Sequence, residues 1–348
     1  MKGIITTTQH MFVRGGAEMC ADNLKSALIK AGHQAEIVSM PYAAHRPELF
    51  ADHVAAARLM NVSSSMAGTI DLCIGLKFPA YFMPHPNKVL WLLHQQRALY
   101  DLYNTEYGVP DNAEQRAMRA AVMRADDMYL REAKRIYTIA QNVSNRLQRY
   151  NGIASTPVYH PSPGMENMYA GEYGDYILLP SRISSTKRQM LAVEALSRCK
   201  QDVKLYIMGR PDAPSLLSDL EAEVHRYKVQ DKVKILTNVD DDEKLKLDAG
   251  AKAVLFIPVD GDYGYITLEA MAAARPLITT TDAGGPLEFV QPEETGSVVQ
   301  PKAEEIAAAM DALWSSRTMA ADYGRAGRHR LDEMDITWEN VVRELTRP

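Results

Sequence analysis

Short apolar runs alternate with amphipathic stretches along almost the whole chain. In the first half the runs fall at 3–7, 35–39, 72–75, 88–93 and 135–139, and helical spacing of apolar positions occupies 18–31, 112–133 and 142–150. In the second half, runs at 176–180, 204–208, 233–236, 253–257 and 276–280 predict strands, with helices predicted between them at 189–199, 214–227, 242–249 and 266–274. A run such as Val254-Leu255-Phe256-Ile257 is apolar at every position rather than at alternate ones. That is the mark of a parallel strand covered by helices on both faces. The pattern predicts an α/β fold with two Rossmann-like domains facing a central cleft. The boundary falls within 157–174, where Pro157, Pro161, Pro163, Gly164, Gly171 and Gly174 interrupt the periodicity. The expected domains are 1–165 and 175–330. A final segment, 331–348, holds a helix over 336–345 with Thr337 as its cap.

Open parallel sheets bind ligands beyond the carboxyl ends of their strands, so the loops just after the predicted strands are the places to look for chemistry. After the first strand comes Phe12-Val13-Arg14-Gly15-Gly16-Ala17-Glu18 and then a helix. Gly15 and Gly16 suit either close backbone approach to an anion or a tight turn feeding a helix. His94 ends the run Val89-Leu90-Trp91-Leu92-Leu93. It fits a hydrogen-bonding partner for a sugar or phosphate oxygen, or a structural histidine at a strand end. Arg182 and Lys187 stand five positions apart in a strand-to-helix loop. Two cations there suit a diphosphate, whose charge grows as a leaving group departs, or a solvated basic loop. The longest such element runs from Val254 through Asp260, Gly261, Asp262, Tyr263, Gly264 and Tyr265 to Glu269 and Met271. Its loop amides and helix N-terminus suit a diphosphate or sugar. The Glu269 carboxylate suits a pair of ribose hydroxyls, or simply the positive end of its helix.

Composition narrows the function class. The net charge of -5 argues against nucleic-acid binding, which needs a surplus of Lys and Arg. Cys20, Cys73 and Cys199 are widely separated and form no CxxC pair, which points away from a disulfide framework or zinc site and towards a reducing cytoplasm. No apolar run approaches the roughly 18 residues of a spanning helix, and the start is too short in apolar residues for a signal peptide.

Taken in order, Gly15-Gly16-Ala17-Glu18, Arg182 with Lys187, 260–271 and Gly284-Gly285-Pro286-Leu287-Glu288 resemble the family 4 retaining glycosyltransferases of the GT-B fold. The resemblance implies that the second domain binds a nucleotide sugar and the first an acceptor. It places Arg182 and Lys187 on the diphosphate and Glu269 on the ribose. Gly15 and Gly16 fall near the donor phosphate, His94 near the donor sugar, and Asp260–Tyr265 along the donor loop. The final helix around Trp338 is expected to pack back on the first domain. Transfer is expected to retain anomeric configuration with no cofactor and no tightly bound metal. The Asp-x-Asp spacings at Asp240/Asp242 and Asp260/Asp262 read as chance matches in polar loops. The family's first acid falls at Gly261, which supplies no carboxylate.

The expected function is transfer of a hexose from a UDP- or GDP-sugar to a glycan or lipid-linked acceptor hydroxyl, in polysaccharide biosynthesis. A sugar-nucleotide epimerase and a catalytically impaired sugar-nucleotide-binding protein are the alternatives. The expected location is cytoplasmic, with peripheral contact at the inner face of the membrane as a further reading. That reading rests on the mixed basic and apolar stretch Arg116, Met118, Arg119, Val122, Met123 and Arg124. Base recognition is expected near 209–211 and 236–239.

Overall fold

The structure is a computed structural model that describes residues 1–12, 15–43 and 46–347. The chain divides into two compact units. Unit 1 takes Met1–Pro163 together with the chain from Thr337 onward, and unit 2 is Gly164–Ile336.

In unit 1 the order is β1 (Lys2–Gln9), α1 (Gly16–Lys30), β2 (Gln34–Pro41), α2 (Phe50–Leu59), a hairpin of β3 (Ser64–Ser65) and β4 (Gly68–Thr69), β5 (Leu72–Lys77), β6 (Lys88–His94), α3 (Ala113–Tyr129), β7 (Arg135–Thr138), α4 (Gln141–Asn151) and β8 (Thr156–Pro157). A six-stranded sheet has the order β2-β1-β5-β6-β7-β8, with its strands parallel. β5 is buried at every position, and β6 at every position before His94, as expected of central strands covered on both faces.

Unit 2 continues with β9 (Ile177–Pro180), α5 (Gln189–Arg198), β10 (Leu205–Met208), α6 (Pro214–Arg226), β11 (Val233–Leu236), α7 (Asp241–Gly250), β12 (Ala253–Leu255), α8 (Tyr265–Ala272), β13 (Leu277–Thr280), β14 (Gly296–Val299), α9 (Ala303–Ser315) and α10 (Arg317–Glu333). Its parallel sheet has the order β11-β10-β9-β12-β13-β14. The strand alternation builds two cores. Ile177, Leu179, Leu205, Ile207, Ala253 and Leu255 enter one, with α5, α6 and α9. Leu178, Met208, Val254, Phe256 and Leu277 enter the other, with Ala270 of α8.

The last helix, α11 (Trp338–Leu345), belongs to unit 1. Thr337 caps it, accepting from the Asn340 amide at 3.2 Å. Val341, Val342 and Leu345 are buried, and the helix lies against α1. The Trp338 ring lies 5.5 Å from the His160 ring and 6.2 Å from Trp91, centroid to centroid. Burial in this aromatic nest pushes the His160 imidazole down to about 3, against the opposing pull of the Pro161 carbonyl, so the ring is neutral.

The strands and helices expected from the apolar pattern are present, and the two-domain α/β reading holds. The pattern missed α2, β3, β4, β8, β14, α9 and α10. Helix 112–133 is interrupted, with α3 ending at Tyr129 and a separate turn at Leu130–Glu132.

Candidate functional site

Sheet order marks one place in each unit where successive connections leave in opposite directions, and the carboxyl edge at such a point is where open parallel sheets take their ligands. In unit 2 this point lies between β9 and β12. The loops after these strands carry Arg182, Lys187 and 260–264, and their geometry follows from a short list of backbone bonds. The Val259 amide donates to Thr186 O at 2.9 Å, Asp260 N to Asp282 O at 2.9 Å, and Gly261 N to Ala283 O at 2.7 Å. Gly285 N returns a bond to Gly261 O at 2.7 Å. The three loops after β9, β12 and β13 are therefore laced into one edge.

Each sequence-derived residue in this edge has a defined setting. Arg182 is 60 % exposed and donates to Asp212 Oδ1 at 2.5 Å. An exposed pair of this kind is worth at most about 1 kcal/mol, so an incoming diphosphate can exchange with Asp212. Lys187 is half-buried, its ammonium 5.2 Å from the centre of the Phe256 ring. Asp260 adopts a positive φ of 41° as the chain turns out of the sheet. Tyr263 is buried, edge-on to Tyr265 and Phe289 at centroid distances of 5.6 and 5.5 Å. Gly264, with φ of 99°, is the N-cap of α8, a conformation that disfavours any residue with a Cβ. α8 therefore starts with its amides at the same edge as Arg182 and Lys187.

Gly261 has a structural use. A Cβ there sits 3.2 Å from Ala283 O and 3.3 Å from Pro258 Cγ, which is tight. Gly285 is stricter still, since its Cβ meets Tyr263 O at 2.5 Å. The close parallel bridge of Gly261 with Gly284 needs slender chains on both sides.

Glu269 is not an exposed acid at a helix start. It is the fifth residue of α8 and 8 % exposed, and its Oε2 accepts from Lys244 Nζ of α7 at 2.9 Å. Lys244 was missed in the sequence, as was Arg188. Arg188 forks onto Asp282 at 2.9 and 2.6 Å and ties the β9 loop to the β13 loop. Burial alone raises the Asp282 carboxyl, but Arg188 outweighs it and the net displacement is downward.

In unit 1 the corresponding point lies between β1 and β5. Val13 and Arg14 of the first loop lie outside the described residues. Gly15 caps α1, and its amide donates to Glu18 Oε2 at 2.9 Å. The other oxygen of Glu18 is 3.7 Å from Lys77 Nζ, at the end of β5. Lys77 pairs in register with His94 at the end of β6. His94 is half-buried, its Nδ1 2.6 Å from Gln95 O. The structure thus gathers Gly15, Gly16 and His94 at one edge and adds Lys77, which no sequence motif marks.

Two expectations change. Asp240 is the N-cap of α7, accepting from Glu243 N at 2.8 Å, so the Asp240/Asp242 spacing serves a helix start. Two arginines of α3 have local partners: Arg116 pairs with Asp111 at 2.9 Å, and Arg119 donates to Leu99 O at 2.8 Å beside the Tyr103 ring. This weakens the case for α3 as a basic membrane-facing helix. Among the described residues no group of three or more His, Cys, Asp or Glu side chains is placed to hold a metal ion, and no helix is long and apolar enough to cross a membrane.

Comparison with known proteins bears on the same region. Residues 171–330 match the family of glycosyl transferases group 1. That match covers a little under half of the chain. Human alpha-1,3/1,6-mannosyltransferase ALG2 is 28 % identical over 170 residues, which are 45 % of this chain and 41 % of ALG2. The match therefore spans less than half of that relative's length. Among solved structures, sucrose-phosphate synthase from Thermosynechococcus elongatus superposes with a TM-score of 0.76 at 17 % identity, over 99 % of this chain and 97 % of that one. HepE from Anabaena, solved in complex with UDP and glucose, gives 0.69 at 16 % identity, over 99 % and 98 %. At such identities the likeness establishes the fold, which is GT-B. The matched residues hold β9 to β14 and with them Arg182, Lys187, Gly261 and Glu269.

Proposed function

We propose that the protein is a retaining glycosyltransferase that moves a hexose from a UDP- or GDP-sugar to the hydroxyl of a glycan or lipid-linked acceptor, in polysaccharide biosynthesis. The observation that carries this reading is the carboxyl edge of β9 and β12, where Arg182, Lys187 and the amides of α8 converge on the place a parallel sheet offers a ligand. The complex of Anabaena HepE with UDP and glucose supports a nucleotide there. Arg182 and Lys187 neutralise the diphosphate, most strongly as it leaves, and Glu269 accepts from the ribose hydroxyls. Asp260, Gly261, Asp262, Tyr263, Gly264 and Tyr265 form the donor loop. Unit 1 takes the acceptor, with Gly15, Gly16 and His94 serving the donor phosphate and sugar. The chemistry is electrostatic and positional and uses no tightly bound metal or other cofactor. A cytoplasmic site of action, with contact to the inner membrane face when the acceptor is lipid-linked, completes the reading.

Thermal shift with UDP-, GDP- and ADP-sugars tests the donor directly. A true donor at 100 times its dissociation constant stabilises by about 2.7 kcal/mol. Arg182→Ala is expected to lower turnover by about 100-fold with saturating donor, the scale of losing one preorganised charge-stabilising group. Wild-type turnover in that variant removes Arg182 from the diphosphate, and epimerised sugar from donor alone replaces transfer with epimerisation.

A further inference from the structure

Glu269 is assigned the nucleotide ribose, and its surroundings show what holds it ready. The Lys244 ammonium, on α7, lies 2.9 Å from Glu269 Oε2 and 2.9 Å from Asp248 Oδ2. Asp248 is one turn further along α7 and 3 % exposed in its side chain, while Lys244 keeps 32 % and Glu269 10 %. One cation thus serves two acids, the deeper on its own helix and the shallower on α8. The Lys244–Asp248 pair is already complete as an i,i+4 contact. Adding Glu269 sets two carboxylates on one ammonium in a poorly hydrated place. Packing does not call for this, since an apolar residue at 269 would serve stability as well or better. The cluster does tether one carboxylate oxygen of Glu269 from the side of α7, which narrows the rotamers open to it before any ligand arrives. The raised basicity of Lys244, held by both acids against the opposing effect of burial, keeps that grip intact at neutral pH.

We infer that Lys244, anchored by Asp248, is a positioning residue that orients the Glu269 carboxylate to accept the ribose hydroxyls of the nucleotide. The inference rests on the ribose role proposed above for Glu269. A carboxylate locked in its binding rotamer loses no rotamer freedom when the nucleotide docks, which is worth up to about tenfold in affinity. The gain is confined to nucleotides that offer the hydroxyls, so Lys244 discriminates between ribose and deoxyribose without touching either.

The test is calorimetric binding of UDP and GDP, and of their 2′-deoxy counterparts, to the full-length protein and its variants. In the wild type the ribonucleotide is expected to bind at least tenfold tighter than its deoxy analogue, and Glu269→Ala to erase the difference. Lys244→Met is expected to shrink the difference by about tenfold while moving deoxynucleotide affinity less than twofold, and Lys244→Arg to restore most of it. Lys244→Gln keeps a donor to Glu269 without the charge. It stands in if the methionine variant does not fold, with an intermediate difference expected. If Glu269→Ala erases the discrimination but the Lys244 variants weaken both nucleotides equally or neither, Lys244 has only a structural role and the inference falls alone. If Glu269→Ala leaves the discrimination intact, or no nucleoside diphosphate binds, the ribose assignment falls and takes the inference with it.

Discussion

At the scale of single residues, Gly261 is the sharpest case. By resemblance it stands where an acid is expected, and a missing carboxylate reads as damage. In the structure its amide and carbonyl are both used in a tight bridge to the β13 loop. Gly261→Glu is therefore expected to cost roughly 1–3 kcal/mol through overpacking against Ala283 and Pro258. It lowers the melting temperature without raising turnover. A large gain in turnover in that variant, read in the same transfer assay, shows instead that the site lacks an acid. Arg182, Lys187 and the glycines were legible in the sequence because loops that meet ligands need unusual residue types. Lys77, Arg188 and Lys244 were not, because each is an ordinary cation until the fold brings its acid within reach. Glu269 was legible as an acid on α8, but not as a partner of Lys244, 25 positions away.

At the scale of elements, α3 and the segment around His160 set opposite pH dependences within unit 1. Asp126 of α3 is fully buried and accepts from Tyr81 at 2.8 Å and Tyr100 at 2.5 Å. Burial outweighs these donors and pushes its carboxyl from 3.8 up to about 7. The fold therefore favours the protonated acid. This contribution is whole below an unfolded value of 3.8 and is lost as pH rises through about 7, at up to about 1.4 kcal/mol per pH unit. His160 runs the other way. Its displacement from 6.5 to about 3 gives stability that is whole above 6.5 and lost as pH falls towards 3. Between about 4 and 6.5 the two slopes offset. Asp126→Asn is expected to remove one of them, so that the urea midpoint of unit 1 climbs with pH across that window more steeply than in the wild type. An unchanged pH profile shows that Asp126 does not titrate there. Element positions were legible because buried parallel strands are apolar throughout. α2, α9 and α10 escaped because their apolar residues are largely alanines, as in Ala307 and Ala309 of α9, which give little contrast to a periodic pattern.

At the scale of the whole molecule, the sheet order was not legible at all, since nothing local tells β5 rather than β2 to close on the far side of β1. Yet that order places the candidate site, because it decides which strand ends face a crevice. The return of α11 to unit 1 was expected from resemblance alone. Trp338→Ala is expected to destabilise unit 1 by roughly 2 kcal/mol, since its half-buried ring packs on Trp91 and His160, while unit 2 melts as before. Two resolved transitions in calorimetry check this, and a shift confined to the unit 2 transition contradicts it.

The return of α11 also orders events during synthesis. Unit 2 is one unbroken stretch, 164–336, whereas unit 1 needs residues from both sides of it. On the ribosome, the sheet of unit 1 emerges first but waits with the faces of α1 and Trp91 uncovered until the segment from Thr337 onward has followed unit 2. By then the whole of unit 2 has been synthesised. The first unit to be translated is thus the last to be finished, and that interval is when a chaperone, or an aggregate, has access to it.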